Sequence, residues 1–121
     1  MSTVLVVDDE RPIRDILGTL FDDAGYQVVE AIHGGQALDL IEQARPDLIV
    51  SDVMMPVLNG AELCRRLKRQ ATTKQIPVIL MSSAGSHVAR EAGADAFIEK
   101  PFNIDEMEAL VRRWLGARMS G

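Results

Sequence analysis

Residues 4–10 read Val4-Leu5-Val6-Val7-Asp8-Asp9-Glu10, four apolar side chains in a row that end abruptly in three acids. A strand with one wet face alternates apolar and polar residues, whereas one that is apolar throughout has both faces covered, as in a parallel sheet between two layers of helices. Runs at Gln27 to Ala31, Leu48-Ile49-Val50, Val78-Ile79-Leu80-Met81 and Ala96-Phe97-Ile98 mark four further strands, most of them equally continuous. Longer stretches with helical spacing separate them. Ile13, Leu17, Leu20, Phe21 and Ala24 form one stripe, Ala37, Leu38, Ile41 and Ala44 a second, and Leu63, Cys64 and Leu67 a third. Ile104, Met107, Val111, Trp114 and Leu115 line the last helix.

The alternation is five β-α units. Asn59 with Glu62, and Asn103 with Glu106, have capping-box spacing at the starts of the third and last helices. Pro12 suits a first helical turn, although Arg11 before it is a poor N-cap. Gly25-Tyr26, Arg45-Pro46, Ile76-Pro77 and Gly93-Ala94 punctuate the joins. A chain of 121 residues accommodates one domain, 1–121, and residues 116–121 read as a flexible tail.

Composition narrows the function classes. Thirteen Lys and Arg against eighteen Asp and Glu give a net charge of −5, which argues against direct nucleic-acid contact. Arg65, Arg66, Lys68 and Arg69 are then most simply the solvated face of the third helix. The apolar run at 4–7 is far shorter than the roughly 20 residues of a membrane span, so no membrane association is expected. Cys64 is the only cysteine, and with His33 and His87 the only histidines this argues against a nitrogen/sulfur metal site, and a cytoplasmic setting is expected. Cys64, Met54, Met55 and Met81 read as packing residues, and the two histidines as exposed ends of loops or helices.

The polar residues that follow the strands carry the functional signal. Asp8-Asp9 follow the first, Ser51-Asp52 the third, Ser82-Ser83 the fourth and Glu99-Lys100 the fifth. Carboxyl ends of parallel strands share one edge, and ligands bind there where the strand order reverses. Five right-handed units give the order 2-1-3-4-5, a doubly wound sheet whose reversal lies between the first and third strands. Asp8, Asp9 and Asp52 therefore converge. Two carboxylates about 4 Å apart repel by about 4 kcal/mol at an effective dielectric near 20, so three need a cation. An all-oxygen, partly wet set suits Mg²⁺, with Mn²⁺ as a substitute. Three acids, the Lys100 ammonium and a divalent ion sum to zero, and one added phosphoryl group leaves a single negative charge for Lys100 and Ser82 to hold.

Val-Val-Asp-Asp-Glu, Ser-Asp-Val-Met-Met-Pro-Val-Leu-Asn-Gly, Met-Ser-Ser-Ala and Glu-Lys-Pro-Phe, in this order and covering essentially the whole chain, resemble the motifs of response-regulator receiver domains. The resemblance implies a flavodoxin-like fold with five helices. It implies phosphorylation of Asp52 by a sensor histidine kinase or phosphotransfer protein, with Mg²⁺ held by Asp9 directly, by Asp8 mainly through water, by Asp52 and by the Met54 backbone carbonyl. Lys100, ahead of a cis bond to Pro101, would bridge Asp52 and the phosphoryl group. Ser82 would shift toward that group, and Phe97, at the family's aromatic switch position, would turn inward. The output would be contact with a downstream protein or with an output domain on a longer chain, as a monomer or a phosphorylation-dependent dimer. Catalysis would be confined to the domain's own phosphorylation and dephosphorylation.

Two departures from the family pattern stand out. Eighteen residues separate Ser82 from Lys100, about one turn fewer than usual, which predicts a short fourth helix over His87 to Ala92. Met54 and Ala84 flank the site with no polar group to orient an attacking water, which predicts a phosphoform that is not especially short-lived. Three rivals fit less well. An aspartyl-phosphate hydrolase would place a second acid where Met54 stands. A flavin or nucleotide binder would need a phosphate loop where Asp8-Asp9-Glu10 repels anions. A degenerate receiver would lack part of the acid, hydroxyl and lysine set.

Overall fold

The computed structural model describes residues 2–55, 58–83 and 85–119. Strands β1 (Thr3–Val7), β2 (Gln27–Ala31), β3 (Leu48–Asp52), β4 (Val78–Ser82) and β5 (Ala96–Glu99) alternate with helices α1 (Arg11–Asp23), α2 (Gly34–Ala44), α3 (Gly60–Arg69), α4 (His87–Ala92) and α5 (Ile104–Met119). All ladders are parallel, as the continuous apolar runs predict, and the order is β2-β1-β3-β4-β5, as five right-handed units predict.

Continuous apolar strands feed two cores. Val4, Val6, Leu48, Val50, Ile79, Met81 and Ile98 pack against Leu17 and Phe21 of α1 and Met107, Val111 and Leu115 of α5. Leu5, Val7, Ile49, Val78 and Leu80 face the other way, onto α2, α3 and α4. Cys64 lies in this second core, where burial pushes its thiol up to about 11, consistent with a packing role.

The short fourth helix has the expected bounds and ends on Gly93 in the left-handed region, φ 79°. Several local expectations differ. Helix α1 starts at Arg11 with Glu10 as its N-cap, and no side chain caps it. Asn59 accepts from the Glu62 amide at 2.8 Å, but Glu62 turns its carboxylate to Arg65 and Arg66 instead of closing the box. His33 is an N-cap whose Nδ1 accepts from the Gln36 amide at 3.1 Å, a role its sequence neighbours do not advertise. Helix α5 continues past Gly116 to Met119, over positions read from sequence as tail; residues 120 and 121 lie outside the described residues.

Lys68 is the clearest correction. Instead of joining a solvated face, its ammonium donates to the Ile76 carbonyl at 2.9 Å, the Lys74 carbonyl at 3.3 Å and Asp95 Oδ2 at 2.6 Å. Asp95 also receives the Val78 amide at 2.8 Å. One side chain thus ties the end of α3 to the starts of β4 and β5. Hydrogen bonds to charged groups contribute about 1.5–3 kcal/mol. Lys68→Met should therefore lower stability in urea by about 1–3 kcal/mol, whereas Arg69→Met at an exposed neighbour should stay within about 0.5 kcal/mol.

Candidate functional site

Strands β3 and β4 run one or two residues beyond their apolar segments, so Asp52 and Ser82 are the last ladder positions of their strands. Asp52 lies beside Met81, and Ser82 beside Glu99, in parallel register. Backbone pairing therefore fixes where both side chains leave the sheet.

Asp8 follows β1 and is fully buried. Its amide donates to the Ala31 carbonyl at 3.1 Å, its Oδ1 accepts from the Glu10 amide at 2.9 Å, and its Oδ2 lies 3.2 Å from Lys100 Nζ. The same ammonium is 3.2 Å from Asp52 Oδ1 and 3.7 Å from Glu10 Oε1. Carboxylate oxygens of Asp8, Asp9, Glu10 and Asp52 all lie within 4.8 Å of one another. The three aspartates and Lys100 thus meet at one rim, with Glu10 as a fourth acid.

Electrostatics follow from this crowding. Burial raises the Asp52 pKa, and the nearby Asp8 charge raises it further, while Lys100 opposes both. The Lys100 pKa is also raised: burial alone would lower it, but the Asp8 and Asp52 charges together outweigh burial. An all-oxygen set with a surplus of negative charge has the chemistry of a hard divalent cation site, and the carboxylate spacing lets one ion reach several oxygens.

The remaining positions named from sequence fall around this centre. Ser82 is buried, and its carbonyl accepts the Lys100 amide at 3.0 Å. The Lys100-Pro101 bond is cis. Phe97 is half-buried on β5, beside Leu80 and against the α2, α3 and α4 core. Met54 does not pack as expected, because the residue is 68% exposed. Ala84 lies outside the described residues.

The loop after Asp52 is held by two close approaches. A Cβ on Gly60 would sit 2.1 Å from the Asp52 carbonyl oxygen, and one on Gly34 would sit 2.5 Å from the Leu58 carbonyl oxygen. The Gly60 amide donates to the Val53 carbonyl at 2.9 Å, closing the loop at its base. Ser51 Oγ donates to the Asp52 carbonyl at 3.0 Å.

A model of the response regulator receiver domain matches residues 4–112. The chain belongs to this family. It is 41% identical over 115 residues to the phosphate regulon transcriptional regulatory protein of Pseudomonas aeruginosa, covering 92% of this chain and 50% of that protein. It is 40% identical over 122 residues to a histidine kinase of Formosa agariphila, covering 98% of this chain and 9% of that protein. It therefore spans half or less of these curated relatives. A solved receiver domain of a Pseudomonas aeruginosa sensor histidine kinase, described as having magnesium coordinated in its active-site cleft, superposes with a TM-score of 0.86 at 28% identity, covering 95% of this chain and 98% of that one. This chain is thus a signalling domain of two-component systems.

Glu10 joins the acid cluster and Arg14 lies beside it, neither of them expected from the sequence. Glu10 was legible only as an anion repelling phosphate, and Arg14 carries no motif signal.

The raised Asp52 pKa has a consequence for stability. Below the ordinary value of 3.8 the carboxyl is protonated in both the folded and unfolded chains and contributes nothing. Above 3.8 the unfolded carboxyl releases its proton first, so stability declines until pH passes the raised folded value. Ionised Asp52 therefore costs stability at neutral pH. Without divalent ions, Asp52→Asn should raise the Tm at pH 7 and should lose this advantage in acid.

Proposed function

We propose that this receiver domain accepts a phosphoryl group on Asp52, in a reaction assisted by a divalent cation, and so controls a protein-contact surface. The observation that carries this reading is the Lys100 ammonium, 3.2 Å from the carboxylates of both Asp8 and Asp52 at the ends of strands that are not consecutive in the chain. Asp8, Asp9, Asp52 and the Met54 carbonyl are the groups that would hold Mg²⁺ or Mn²⁺; Glu10 stands next to them. A bound divalent ion supplies positive charge for the oxygens of the transferring phosphoryl group.

The chain's own groups divide the remaining work. An Asp52 carboxylate oxygen forms the new bond to phosphorus as the phosphorus–nitrogen bond of a phosphohistidine breaks. The bonding electron pair leaves on the imidazole nitrogen, which remains on the donor. Lys100 is placed to turn from Asp8 toward a phosphoryl oxygen, stabilising charge that grows during transfer. The Ser82 hydroxyl, on the neighbouring strand end, is the second donor to the phosphoryl group. Its movement would open volume for Phe97, whose half-buried ring borders the α4 side of the sheet. Without a hydroxyl on that ring, the surface it controls is apolar.

The phosphodonor partner is a histidine kinase or phosphotransfer protein. A groove of about 430 Å³ beside Lys100, lined by Ile13, Ile16, Phe102 and Ile104 together with Glu10 and Ser83, offers an apolar shelf next to the acid cluster. A downstream target or an output domain on a longer chain would read the switched surface. The domain assignment proposed for the chain is one receiver unit.

Incubation with Mg²⁺ and a small phosphodonor, followed by intact mass measurement, should give a gain of one phosphoryl group in the wild type and none in Asp52→Asn. Turnover of varied phosphomonoesters, or no gain in the wild type, would overturn the reading. Met54 supplies no polar group to orient water, so the phosphoform should persist for about minutes or longer at neutral pH. Decay within seconds, followed by mass or by phosphate release, would contradict that lifetime.

A further inference from the structure

The Arg14 guanidinium lies beside the acid cluster yet pairs with none of its carboxylates. Its side chain is only 15% exposed. One terminal nitrogen donates to the main-chain carbonyl of Asp8 at 2.9 Å, and Nε lies 3.5 Å from Glu30 Oε1 on β2. Gly18, one turn further along α1, makes room for that Glu30 carboxylate: a Cβ there would lie 3.3 Å from Glu30 Oε2.

The carbonyl that Arg14 holds belongs to the peptide joining Asp8 to Asp9. A peptide unit is planar, so fixing the Asp8 oxygen fixes the plane from which Asp9 departs. Asp8 needs little further help, since its amide and both carboxylate oxygens have partners of their own. Asp9 is different: it is exposed, and among the described residues no hydrogen bond or ion pair is assigned to its carboxylate. Its aim depends on the backbone that carries it.

We propose that Arg14 is a positioning residue for the divalent-cation site, clamping the Asp8–Asp9 peptide so that the Asp9 carboxylate is presented to the ion. This rests on the cation-assisted reading of the site given above. The alternative roles of Arg14 give different signs. Arg14 as a mere charge would repel a cation, so its removal would tighten metal binding. Arg14 as a mere tie between α1 and β2 would be disabled equally by loss of Glu30.

The test measures Mn²⁺ affinity by electron paramagnetic resonance, with Mg²⁺ in competition and Tm recorded in parallel, for the wild type, Arg14→Met, Arg14→Lys and Glu30→Gln. Groups that orient metal ligands typically change affinity by about 10–100-fold when removed. Arg14→Met should weaken Mn²⁺ binding about tenfold, while Glu30→Gln, which keeps the donor to Asp8, should remain within about twofold of wild type. Unchanged or tighter binding by Arg14→Met would overturn the proposal, as would equal weakening by Arg14→Met and Glu30→Gln. If Arg14→Met does not fold, Arg14→Lys decides: its single ammonium cannot keep the forked contact, so a loss of about threefold supports the proposal and wild-type affinity overturns it. A wild type that binds no Mn²⁺ at millimolar concentration would defeat the cation reading itself, and this inference with it.

Discussion

One ammonium group lets this site exist in a folded chain. Asp8 and Asp52 are buried acids on adjacent strand ends, and the parallel ladder leaves them no freedom to separate. Lys100 Nζ lies 3.2 Å from both. Without that charge, two ionised carboxylates in a poorly solvated corner would either take up protons or pull the strand ends apart. Lys100 is delivered by the end of β5, its own amide tied to the Ser82 carbonyl, so the neutralising group enters from the sheet itself. Even so, one positive charge against four acids leaves a deficit. Burial first, and then the Asp8 and Asp9 charges, raise the Asp52 pKa against the pull of Lys100, and the acid set has the chemistry to take a divalent ion.

The fold was legible in the sequence because its signal is redundant. Four of the five strand segments are apolar without interruption and demand cover on both faces, with Gln27 to Ala31 the exception, and turn residues between the segments leave room for helices on either side. The strand order then follows from handedness, and with it the convergence of Asp8, Asp9, Asp52 and Lys100 from positions up to 92 residues apart. Even the six-residue α4 could be counted from the short spacing between Ser82 and Lys100.

What escaped the sequence has a common physical origin. Lys68 and Arg14 work largely on backbone carbonyls, and a carbonyl has no letter in the sequence. Lys68 looked like an ordinary helix-surface cation and Arg14 carried no signal at all; only their three-dimensional reach reveals what they do. His33 replaces a more usual capping residue with an imidazole nitrogen, a geometric substitution that composition does not reveal. Met54 failed in the opposite direction: an apolar residue is expected to pack, but the loop it occupies turns it outward. The residues hardest to place were those whose partners are main chain, or those set by a loop instead of a strand or helix.

The glycines at the starts of α2 and α3 govern how freely the site can diverge. Gly60 sits almost on top of the Asp52 carbonyl, and Gly34 presses on Leu58, so neither position has room for even a methyl group. In both cases the obstacle is backbone, which cannot swing aside as a side chain can. Two positions that touch no ligand are thereby closed to variation, while exposed Met54, at the mouth of the site, is free to change. Substitution is therefore restricted beneath the site and tolerated at its rim, where a change at Met54 leaves the acids below undisturbed.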